Sequence, residues 1–239
     1  MDKTIFEKLI EQIDLESTIK SSIKSSLKER GIVEAYKSEP KNYKQATEFI
    51  SEKAKKAHED LYKGYVETLN QVSTQLDSAR RSSDVVNPRH SDFRSLKLDE
   101  CCMLNAKYLH ELFFENAFDP ASTLHMDELP YIKLARDWGS FEDWQRDFNA
   151  CALACGSGWA VCGYHMHLKR YVNTIVSHHN ADVMIGLYPI IVIDCWEHAY
   201  QRDYLNDKKA YVYAVMKELN WDVIAKRVER AEKIASILK

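Results

Sequence analysis

The chain has 239 residues, 45% of them apolar, which is enough to bury a sizeable core and excludes disorder along its whole length. Its 33 basic and 36 acidic residues leave a net charge of −3, which points to neither nucleic acid nor a membrane as partner. Seven glycines and five prolines exclude collagen-like and low-complexity classes, and neither GxGxxG nor a GxxxxGKS or GxxxxGKT phosphate loop occurs.

The opening MDKTIFEKLIEQ sets acids where a secretory leader carries apolar residues, so a cytoplasmic protein is expected. Residues 1–30 pattern as an amphipathic helix through Ile5, Leu9, Ile13, Ile19, Ile23 and Leu27. A longer helical pattern spans 43–80 through Leu61, Tyr65, Leu69 and Val72. The polar segment 78–95, with Pro88, reads as a loop. A helix is expected over 97–116, then two more over 130–137 and 140–154, the last capped by Ser140. The uncharged run Asn149–Leu168 is long enough to span a bilayer, but Gly156, Gly158, Gly163, His165 and His167 within it favour buried core.

From there the period changes. Trp159–Leu168, Tyr171–Ser177 and Leu187–Asp194 are rich in Val, Ile, Tyr and Trp and read as three short strands. After Trp196 the pattern returns to helix, through 208–219 and 221–238. Helices first, then a small sheet framed by helices, is an α+β plan. The six cysteines, with no CxxC among them, read as free, buried thiols in a reducing compartment.

Three places can carry metal chemistry. Asp194 and His198, four apart, share a face if the segment is helical and can meet one cation. His110 sits among Tyr108, Leu109, Leu112, Phe113 and Phe114, where it fits either a ligand or a core histidine with partnered ring nitrogens. His58 lies seven residues before Tyr65, about two helical turns, so the two share a face, although Lys55, Lys56, Glu59 and Asp60 around it equally suit a solvated histidine.

The string DCWEHAYQRDYLNDKKAYVYAVMKELNWDVIAKR (194–227) resembles the C-terminal signature of the iron/manganese superoxide dismutases, whose hallmark is D-x-W-E-H-A-Y. NAKYLHELFFEN (105–116), WGSFEDWQRDF (138–148), GSGWAV (156–161) and GLYPIIVID (186–194) resemble further segments of that family, in family order. The resemblance covers about residues 50–235.

It implies a long antiparallel α-hairpin followed by a C-terminal part with a three-stranded antiparallel sheet flanked by helices. The implied division is a helical extension over 1–45, an α-hairpin domain over 46–120 and an α/β domain over 121–239. It also implies one iron or manganese ion per subunit, held by His58, His110, Asp194 and His198. The reaction would be disproportionation of superoxide to oxygen and hydrogen peroxide, by alternate reduction and oxidation of that ion. Tyr65 would be the gateway tyrosine, and Trp159 and Trp196 the aromatic wall. One of the His178-His179 pair would hold metal-bound solvent, and counting back from Pro189 favours His179. Glu197 would reach a ligand histidine of a second copy, so a homodimer or homotetramer is expected, with no nucleic acid or membrane partner.

Two departures from the family stand out. Family members usually place the first-helix histidine eight residues before the gateway tyrosine, not seven. A π-bulge accounts for eight, whereas a regular helix needs seven. The family's usual His four before that tyrosine is Leu61 here, and the usual Tyr three after the last ligand is Gln201. These changes motivate an alternative: a dismutase-shaped interaction or structural module that binds metal weakly or not at all. A zinc hydrolase has no H-E-x-x-H to support it.

Overall fold

A computed structural model describes residues 37–118 and 122–237. The amphipathic pattern over 1–30 lies outside the described residues.

Helix α1 spans Glu52–Ser78. It starts nine residues later than the apolar pattern suggests, because the chain before it is held in another way. Ser51 accepts from the Ala54 amide as N-cap, while the Asp203 carboxylate takes both the Ser51 N–H (2.6 Å) and its hydroxyl (2.8 Å). Upstream, Tyr43 packs edge-on to Tyr62 rather than extending the helix. Helix α2 spans Asp92–Ala117 and starts five residues earlier than expected, at an N-cap made by Ser91 on the Arg94 amide. The two long helices pack into the expected antiparallel hairpin.

Helices α3 (Leu129–Trp138) and α4 (Phe141–Ala154) follow. The Ser140 cap is present: its Oγ accepts from the Asp143 amide at 3.0 Å and donates to the Asp143 carboxylate at 2.8 Å. Strands β1 (Gly158–His165), β2 (Arg170–Ser177) and β3 (Leu187–Asp194) form an antiparallel sheet in the order β2-β1-β3. The central strand, β1, is buried along its length. It ends at His165 rather than Leu168, since the chain turns through Lys169 at a positive φ. Helices α5 (Glu197–Tyr204), α6 (Lys208–Lys217) and α7 (Trp221–Ile237) complete the described chain. Among the described residues no helix is long and apolar enough to cross a membrane.

One buried polar knot fixes α2 against β3. Asn116 donates to the Val192 carbonyl (3.1 Å) and accepts from the Val192 amide (3.2 Å), so its amide replaces a strand neighbour. Arg227 of α7 then donates to Asn116 Oδ1 (3.0 Å), to the Ile190 and Leu112 carbonyls (3.1 Å each) and to the Glu115 carboxylate (2.7 Å). A buried guanidinium is tolerated only when its donors are matched in this way. The knot sets the position of α2, and with it His110, relative to the end of β3, where Asp194 stands.

Candidate metal centre

Helix α1 is regular α-helix from end to end, so seven residues place His58 and Tyr65 on one inward face. The shorter spacing therefore fits a helix without a bulge. His58 is 1% exposed, and its Nε2 lies 3.1 Å from Asp194 Oδ2. His198, in the first turn of α5, brings its Nε2 to the same oxygen at 3.1 Å, and His110 of α2 approaches it at 3.7 Å. The four donor atoms lie within 4.8 Å of one another. Two donors about 2.1 Å from one ion, at right angles to each other, stand about 3 Å apart, so these separations suit a shared ion.

The donors are prepared for a cation. His110 Nδ1–H donates to the Ala106 carbonyl at 2.6 Å, one helical turn back. That bond fixes the tautomer and leaves the Nε2 lone pair facing the cluster, where it is buried with no protein hydrogen-bond partner. Burial pushes the His110 imidazole well down, with the neighbouring His58 adding to it, and burial likewise lowers His58. Both are therefore neutral lone-pair donors at neutral pH. For Asp194, burial opposes ionisation, but His198 and His58 outweigh it and hold the carboxyl below the ordinary carboxylate range. Its second oxygen accepts from the Trp196 amide (2.9 Å), and its backbone carbonyl accepts from the Tyr211 hydroxyl (2.8 Å). Three imidazoles and one carboxylate form a mixed nitrogen and oxygen set that iron and manganese accept.

The family model described as iron/manganese superoxide dismutases, C-terminal domain, matches residues 131–227. The chain is 35% identical over 208 residues to a superoxide dismutase [Fe] of Aquifex pyrophilus, and 34% identical over 208 residues to one of Aquifex aeolicus, in each case covering 85% of this chain and 97% of the relative. It is 31% identical over 193 residues to superoxide dismutase [Mn] 1 of Halobacterium salinarum, across 80% of this chain and 93% of the relative. The chain belongs to the iron/manganese superoxide dismutase family.

Beside the dismutase cluster lies a directional hydrogen-bond chain. Trp159 Nε1–H can only donate, and it donates to His179 Nδ1 at 3.1 Å. A neutral His179 must then carry its proton on Nε2, which meets the Tyr65 hydroxyl oxygen at 3.2 Å. Burial lowers the His179 imidazole to about 4, which keeps it neutral. With its oxygen accepting from His179, Tyr65 keeps its own proton free to point elsewhere. Burial, reinforced by Asp194, raises the Tyr65 hydroxyl to about 12. Of the adjacent pair, His179 is the buried member aimed at the site. His178 sits at a positive φ with its amide bound to the Ser157 carbonyl.

Trp159 packs edge-on to His110 at 4.8 Å between centroids, and Trp196 lies between His179 (5.2 Å) and His198 (5.9 Å), stacked on both. Glu197 touches none of these groups. It is exposed beside His198 and lines an open groove with Ala57, Gln201, Arg202 and Leu205. Sequence reading missed Tyr211, whose hydroxyl positions Asp194, and the Phe113, Phe114 and Phe118 rings that enclose His58 at 5.0–5.8 Å. Tyr211 carries no local signal, because its partner lies 17 residues away with helix α5 between them.

Proposed function

We propose that His58, His110, Asp194 and His198 hold the iron or manganese ion of a superoxide dismutase, and that Tyr65 and His179 manage the protons of the reaction. The observation that carries this reading is the convergence of four donors on one buried point, with the His110 Nε2 lone pair left for a cation. A redox ion held there supplies the one-electron steps that reduce one superoxide and oxidise another. The protein supplies the rest. His110 is oriented by Ala106, Asp194 by Tyr211 and the Trp196 amide, and the phenyl rings around His58 exclude water from that side. Tyr65 presents a hydroxyl toward the centre, and the fixed Nε2–H of His179 donates to its oxygen, so the hydroxyl is held in one orientation and its oxygen is supported by a hydrogen bond while its proton is shared with the reacting groups. Trp159 and Trp196 line a further side of the centre through their contacts with His110, His179 and His198.

The exposed strip of Glu197, Gln201 and Arg202 supports a second copy packing across this face, as a homodimer or as half of a homotetramer. The α-hairpin over 46–120 and the sheet-bearing part over 121–239 are read as the two domains that share the site. Six free thiols suit a reducing, cytoplasmic compartment.

Metal analysis and superoxide decay on the purified protein test the proposal together. Near-stoichiometric iron or manganese with superoxide-dependent turnover is expected, and His110→Ala should lose both. A folded protein that takes up neither metal would instead identify an interaction module.

A further inference from the structure

At the start of β1, two thiols come together around Gly158. Cys155 closes α4, and Cys195 stands between Asp194 and Trp196. Both pack around Gly158. The Cys195 amide donates to the Gly158 carbonyl at 2.9 Å, and a methyl group added at Gly158 would meet the Cys155 sulfur at 3.1 Å. The two thiols interact directly with each other. Cys155 is 3% exposed, but its neighbours Leu153, Ala154, Gly156 and Ser157 are all exposed, so its sulfur lies one layer beneath solvent. The Lys208 ammonium is anchored on the Cys155 carbonyl oxygen.

We infer that Cys155 and Cys195 form a reversible thiol–disulfide pair oxidised by hydrogen peroxide. The inference rests on the dismutase reading only for the source of oxidant, since that reaction releases peroxide beside Asp194. The Cys155 sulfur attacks one peroxide oxygen. The O–O bond breaks, hydroxide leaves and takes up the thiol proton as water, and Cys155 becomes a sulfenic acid. The Cys195 sulfur then attacks the Cys155 sulfur, the S–O bond breaks, and the hydroxyl leaves with the Cys195 proton as a second water. Two thiols lose two electrons in total, and one peroxide is reduced to two waters. Cys155 is the first nucleophile because it lies nearer solvent. Cys162 is engaged by the Trp144 indole N–H at 3.4 Å, and Cys151 shares a helix with Cys155 one turn away.

The test treats reduced, metal-loaded protein with equimolar hydrogen peroxide, quenches it, alkylates free thiols under denaturing conditions and maps peptides by mass. The expected product has lost two hydrogens, contains a peptide joining residues 155 and 195, and returns to two alkylatable thiols with dithiothreitol. Cys151→Ser and Cys162→Ser should still form the link, while Cys155→Ser and Cys195→Ala should not. Free thiols at both positions after peroxide, or a link between Cys151 and Cys155 instead, would overturn the inference. This readout on the wild-type chain does not depend on any variant folding. Superoxide decay and metal content are measured on the same sample, so a link formed by added peroxide in a protein that shows no superoxide turnover leaves the thiol pair standing and counts against dismutation.

Discussion

Acidifying the metal-free protein from about pH 7.5 to about pH 5 exposes the electrostatic state of His179. Burial lowers this imidazole to about 4, against about 6.5 for an unperturbed histidine. As pH falls, the unfolded chain takes up a proton near pH 6.5 that the folded chain refuses until near pH 4. Stability present above about pH 6.5 is therefore lost as pH falls through that window. Integrated to pH 5, one such group accounts for a loss of about 2 kcal/mol. Burial lowers His58 and His110 as well, so they add losses of the same sign. Asp194, held low, gives up its contribution only below about pH 4, outside the range.

Comparing wild type with His179→Gln cancels every group but one, since glutamine keeps a donor and an acceptor without titrating. With a urea dependence of about 2 kcal/mol per molar, the wild-type midpoint should fall about 1 M further than the variant's between the two pH values. Urea unfolding followed by far-ultraviolet circular dichroism gives the number. Parallel pH dependences would refute the assignment of His179 as a buried neutral imidazole fixed by Trp159.

Three further outcomes are expected. Tyr65→Phe removes a hydroxyl that is not among the four donors, so metal content should hold while superoxide turnover falls about 10–100-fold; unchanged turnover in stopped-flow decay would remove Tyr65 from proton supply. Asn116→Ala leaves the Val192 amide and carbonyl without a partner and takes one acceptor from Arg227, which should cost about 2–3 kcal/mol in chemical denaturation and loosen metal retention, since α2 is no longer tied to β3. Gly158→Ala would set a methyl 2.2 Å from the Val176 carbonyl oxygen within the paired β1 and β2 backbones, and a loss of about 2–3 kcal/mol is expected; a wild-type unfolding midpoint would show that the strands can separate there.

Much of the molecule was legible because its signals are local. The period-two runs of Val, Ile and Tyr mark strands that exist within a few residues of the expected bounds, and Ser140 caps α4 as its spacing to Asp143 suggests. Asp194 and His198 share a turn, so their closeness follows from sequence separation alone. Helix boundaries were less legible. The apolar pattern upstream of α1 continues past Ser51, but Asp203, distant in the chain, captures that residue and sets the start.

The sequence by itself determined which side chains could ligate, and the seven-residue register that keeps His58 and Tyr65 on one helical face. Tertiary structure alone decided that His58 meets Asp194 across a sequence separation of 136, that His179 rather than His178 turns inward to the Trp159 N–H, that Tyr211 steadies Asp194 and that Cys155 faces Cys195. Periodicity reports which face of an element is buried. It carries no information about which other element that face meets, because the distance between buried faces is set by packing of the whole core rather than by the torsions of either segment.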